Sequence, residues 1–256
     1  HEFPDVLLYR EQRGDELVLR DGAPTASWAA CEDGRRALVL AGSESGLMPV
    51  GLERHPLPLE QRGEVYGVQS AEAAATLREA GAVVLVAHTE DFSAEQLISL
   101  DVDGFEMFNM HANTLLNAGA ALELVLRVNE GDSGLPFPDL VALPLLSEDE
   151  RYLSTWGSAL ASGRRFVTTM GSDCHRNTFT SLLADGERVD SYRRAMSWFS
   201  NHLLLRPEED GSYDDRHLKE ALREGRLYGS FDVLGSPLGF DFHARSGGDV
   251  VEMGGE

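Results

Sequence analysis

Four polar residues follow short apolar runs closely. Glu44 comes after residues 37–41, His88 directly after 82–87, and Asp173 and His175 just beyond 166–170. Carboxylate mixed with imidazole is a donor set suited to zinc, manganese or iron, whereas calcium takes oxygen alone. His55, on the segment following Glu44, extends the set. Singly, each has a plainer explanation: a lone His at a strand end is ordinarily a surface or core-edge residue, and an Asp after Gly-Ser often caps a helix. Matching positions on several strands carry more weight, because parallel strands of a barrel bring their carboxyl ends to one face. Glu44, His88, Asp173 and His175 are therefore expected to share one mouth. A third acid, Glu106, sits inside the otherwise apolar run 104–108.

The elements that must position these groups are legible from residue 36 onward, where apolar runs of strand length alternate with helical patterns, the signature of parallel βα units. Strands are expected at 37–41, 82–87, 104–108, 166–170, 203–205 and 227–231. Ser70 caps a helix reaching Ala80 and ended by Gly81, and Ser93 with Gln96 forms a capping box. A helix over 113–130 carries Leu115, Leu116, Leu122, Val125 and Leu126, with Gly131 closing it. Asp214 or Asp215 starts another, with Leu218, Ala221 and Leu222 facing inward before Gly225. Residues 6–20 read as a hairpin whose alternating segment 15–20 ends at Asp21-Gly22. Nothing resembles a linker, so residues 1–256 form a single domain with its core at about 36–244.

Lys and Arg total 22 against 43 Asp and Glu, a formal charge of −21 with Lys219 the only lysine. Such a field repels polyanions, which excludes long nucleic acid and anionic membrane surfaces as partners. No run approaches the ~18 apolar residues of a spanning helix. Cys31 and Cys174 have neither zinc nor redox spacing and are expected to be reduced thiols.

Gly171-Ser172-Asp173-Cys174-His175 after an apolar strand resembles the closing Gly-Ser-Asp-x-His motif of the PHP superfamily, the polymerase and histidinol phosphatase domain of metal-dependent hydrolases. Gly42-Ser43-Glu44 with His55 resembles its Gly-x-Glu followed by a His. Residues 84–88 resemble its strand-then-His, and 103–109 its strand ending in Glu-x-x-Asn. Residues 221–228 with 239–242 are similar to the final helix and strand of the members related to carbaryl hydrolase. The resemblance covers about residues 37–244. It implies a distorted (β/α)7 barrel with two or three divalent ions, usually zinc, manganese or iron. Glu44 would bridge two of them, His55 and His88 would bind one, and Asp173 and His175 would complete the cluster. Family members open with a His-x-His pair that occurs nowhere in this sequence, so the first strand is expected upstream of it. His1 matches the second half of the family's next Asp-His pair and is a further candidate ligand. Residues 247–254 read as the start of another strand, a C-terminal β extension cut short.

The implied activity is hydrolysis of a small phosphoester by a metal-activated water. Arg176, beside His175, is the candidate cation for the developing charge, with Arg54 second; the plainer role for either is a surface ion pair. His111 either protonates the leaving group or, more simply, caps the following helix. Cys174 is expected to point into packing, since neighbours on a strand face opposite ways. Two alternatives stand beside the phosphoesterase: a carboxyl or carbamate ester hydrolase using the same site, and a degenerate, non-catalytic metal-binding barrel.

Overall fold

The computed structural model describes residues 14–129, 137–177 and 179–255. His1, residues 6–13 of the expected hairpin and Gly131 lie outside the described residues. The fold is mixed α/β. Its centre is a seven-stranded sheet whose strands lie in sequence order: β1 (Glu16–Arg20), β2 (Ala23–Ala30), β3 (Arg36–Gly42), β4 (Met48–Leu52), β5 (Val83–Val86), β6 (Gly104–Asn109) and β7 (Val167–Gly171). Pairing is antiparallel from β1 to β5 and parallel only across β5, β6 and β7. Parallel units from residue 36 onward are thus corrected to parallel units from β5. The connection between β3 and β4 is far shorter than the dozen or more residues a parallel crossover requires. β1 and β7 are not joined, so the described sheet is open rather than a closed barrel.

The segment 15–20 does form a hairpin strand, but its described partner is the following β2. Asp21 and Gly22 both take positive φ, 52° and 80°, as a two-residue turn of the primed type requires. Helices α1 (Ala71–Glu79), α2 (Ala94–Leu100) and α5 (Glu150–Leu160) cover one side of the parallel strands, and α6 (Asp215–Arg223) covers the other. Ser70 Oγ accepts from Ala73 N at 3.1 Å, and both halves of the Ser93/Gln96 capping box are made. β5 is buried on both faces: Val84 and Val86 pack toward Leu77, Leu97 and Phe105, while Val83 and Leu85 pack toward Leu222 and Val167. That double burial is why the run is continuous rather than alternating.

The helix expected over 113–130 is two, α3 (Met110–Leu116) and α4 (Ala118–Asn129), separated at Asn117. The break reorients the apolar stripe. Ala121, Leu124 and Val128 are buried, whereas Leu115, Leu116, Leu122 and Leu126 are exposed. Beyond β7, β8 (Ser200–Leu203) and β9 (Leu227–Ser230) pair antiparallel as a separate ribbon. The Asn201 side chain ties this ribbon to β7, accepting from Met170 N and donating to Met170 O, each at 2.9 Å. The C-terminal segment forms a hairpin of β10 (His243–Ser246) and β11 (Asp249–Glu252).

The lone lysine is structural. Lys219 Nζ lies 2.6 Å from Glu53 Oε1 and 3.0 Å from Asp215 Oδ2, and Arg20 reaches the same two acids from β1. This buried knot pins the N-terminal hairpin to α6. Lys219→Met is expected to cost roughly 2 kcal/mol. That is below the ~3–5 of a fully isolated buried pair, because Arg20 still neutralises Asp215. Denaturant unfolding checks it.

Candidate metal centre

Three strand ends supply the donors. β3 runs into Glu44, β5 through Ala87 into His88, and β7 through Ser172 into Asp173. One ligand atom from each of Glu44, His88 and Asp173 falls within 4.8 Å of the others. His88 Nε2 is 3.0 Å from Glu44 Oε1 and 3.9 Å from Asp173 Oδ2. Both His88 and Asp173 hold left-handed backbone, φ 54° and 46°, and Arg176 does too at 53°. Such conformations cost a non-glycine residue about 1–3 kcal/mol and cluster at functional sites. Here they turn the chain sharply at the strand ends, aiming the side chains at one point.

The Asp173 carboxylate is the hub. Its side chain is 2% exposed. His111 Nδ1 lies 2.9 Å from Oδ2. His175 Nδ1 is 3.0 Å from Oδ1 but is aligned on the Asp173 backbone carbonyl at 2.8 Å, so Oδ1 is left buried without a hydrogen bond. A buried carboxylate oxygen with no donor calls for a cation. The donor chemistry, two carboxylates and an imidazole, fits zinc, manganese or iron.

A third acid stands behind the group. Glu106 is 6% exposed and accepts from Asn109 Nδ2 at 2.8 Å and from His88 N at 3.3 Å. Burial is the main cause that pushes its carboxyl above the ordinary 4.5, and nearby Glu44 adds to it. Gly171 makes room for this carboxylate: a Cβ there would stand 1.5 Å from Glu106 Oε1. His88 carries the reciprocal shift. Partial burial opposes its protonation, but Asp173, Glu106 and Glu44 together outweigh it and hold the imidazolium above the usual histidine range. An ion taken up there must displace that proton.

Because Glu106 is an acid whose folded pKa is raised, its charge destabilises the ion-free fold above that pKa. Glu106→Gln is therefore expected to raise the melting temperature at neutral pH, with the gain vanishing as pH falls below about 4, where Glu is protonated folded or unfolded. A pH series of thermal melts checks this.

The other candidates divide. His175 and His111 contact Asp173, and Arg176 lines a cavity beside them. His111 is not the helix cap. Asn109 caps α3, its Oδ1 accepting from Ala112 N at 3.0 Å, which leaves the His111 ring on Asp173. His55 stands 3.1 Å through Nδ1 from the Tyr66 hydroxyl and is not one of the three converging donors. Arg54 donates to the Glu79 carbonyl at the end of α1, a structural role. Cys174 is half-buried among apolar neighbours, and burial pushes its thiol up. Glu106 and Asn109, covered by the Glu-x-x-Asn resemblance but outside the expected ligand set, also belong to the site; a carboxylate inside an apolar strand is the signal for them. A second donor group, Asp241, His243 and Glu252, lies on the C-terminal hairpin. There Arg245 Nε donates to His243 Nε2 at 3.0 Å, a cation where an ion would sit.

Comparison of the chain with protein-family models, with curated proteins and with solved structures gave no match in any of the three. Among the described residues no helix is long and apolar enough to cross a membrane.

Proposed function

We propose that the chain is a metal-dependent hydrolase of the PHP type that cleaves a small phosphoester. What carries the proposal is the convergence of Glu44, His88 and Asp173 from three strand ends, together with a buried Asp173 oxygen that accepts no hydrogen bond. Those three residues would hold the first divalent ion. His175, His111 and Glu106, gathered about the same carboxylates, are the groups from which a second or third would draw ligands. A bound ion supplies Lewis acidity and a water ionised near neutral pH.

The chain's own residues do the rest. His111 is held through Nδ1 by Asp173, which orients the ring and leaves Nε2 as the atom that would carry the proton for the leaving group. Arg176 has no carboxylate partner among the described residues and offers its guanidinium to the charge gathering on the phosphoryl oxygens. In the overall reaction the water oxygen bonds to phosphorus, the ester P–O bond breaks, the departing oxygen takes a proton from His111 Nε2, and the proton shed by the water passes to solvent, from which His111 is recharged. A carboxyl or carbamate ester hydrolase is the second reading, favoured by the mostly apolar cavity beside the site. Turnover of 4-nitrophenyl phosphate against 4-nitrophenyl acetate, with manganese or zinc restored to chelator-stripped protein, separates the two. No turnover of either ester would sink both.

A further inference from the structure

The cavity beside Asp173 has a volume of about 470 Å³, within the ~300–1,000 Å³ of small-molecule sites. Its exposed polar members, His111, His175 and Arg176, stand beside the Asp173 carboxylate, while Val141, Leu145, Val189 and Trp198 form a buried apolar floor in which the acid Asp190 is held by Arg188 and by Phe179 N. That floor is held rigidly. Trp198 Nε1 donates to Asp139 O at 3.2 Å, and fully buried Arg194 pairs with Asp139, Asp185 and Glu187, locking the turn 138–145 to the segment that carries Val189 and Trp198. A substrate bearing only a small polar leaving group would leave this floor wet and unused.

We infer that the cavity is the leaving-group pocket and selects an anionic ester of an aromatic alcohol, its phosphoryl end at Arg176 and Asp173 and its ring on Trp198 and Phe179. This rests on the hydrolase proposal for the chemistry, while the pocket itself rests on geometry alone. An aromatic ring fits the floor because offset and edge contacts with Trp and Phe add to simple area burial. A one-carbon alcohol gains neither. Phosphonates, which are not hydrolysed, separate binding from turnover. Phenylphosphonate is expected to bind metal-loaded protein at least about tenfold more tightly than methylphosphonate, from the extra apolar area buried, and to quench Trp198 fluorescence.

The quench should disappear in Trp198→Phe. It should weaken, with the affinity ratio falling toward one, in Thr114→Phe, which places a ring into the cavity from the half-exposed face of α3. Equal affinity for the two phosphonates, or a phenyl preference that Thr114→Phe leaves intact, overturns the pocket assignment even if phosphoesters are cleaved. Tight phenylphosphonate binding with no hydrolysis of phenyl phosphate under added manganese or zinc upholds the pocket and overturns the hydrolase reading instead.

Discussion

Asp173→Asn is expected to lower phosphoester turnover by at least about 10³-fold while leaving the melting temperature little changed. The substitution keeps volume and shape but removes the charge at the centre of the cluster. It also suits the backbone, because Asn tolerates the left-handed conformation found there, φ 46°. Removing the charge gives up its attraction to the His88 imidazolium but also its repulsion from the neighbouring acids, so stability should change little while activity collapses. Such a separation is the mark of a residue kept for chemistry. Steady-state kinetics paired with thermal melts checks it. A parallel loss of stability and activity would place Asp173 in the scaffold instead.

Gly171→Ala is expected to cost about 1–3 kcal/mol and to abolish turnover as well. The new Cβ would overlap the Glu106 carboxylate, which must swing away and give up the hydrogen bonds it accepts from Asn109 Nδ2 and His88 N. For a chain of this size the melting temperature should fall by roughly 2–12 °C. Adding Glu106→Ala to Gly171→Ala removes the clash, so the double variant should be more stable than the Gly171 single, a non-additive result that differential scanning calorimetry detects.

The strand ends carrying His88 and Asp173 were legible because β5 and β7 are short apolar runs that stop at a polar residue. β4 was not, since Pro49 and Gly51 disguise a buried antiparallel strand. The exposed leucines of α3 and α4 satisfied a helical period, but the period says nothing about which face meets the core once Asn117 interrupts the axis. His111 could by position have capped the helix that follows, but Asn109, ending β6, has the short amide that reaches Ala112 N. The fit of Gly171 to Glu106 is a contact between strands, visible only once they are paired. The motif's glycine thereby gains a physical reason.

Anomalous diffraction from crystals grown with zinc or manganese tests the central claim most directly. A peak within bonding distance of Glu44 Oε1, His88 Nε2 and the Asp173 carboxylate is the predicted result, absent from crystals of Glu44→Ala protein. Density confined to Asp241, His243 and Glu252, or no peak at either group, would contradict it.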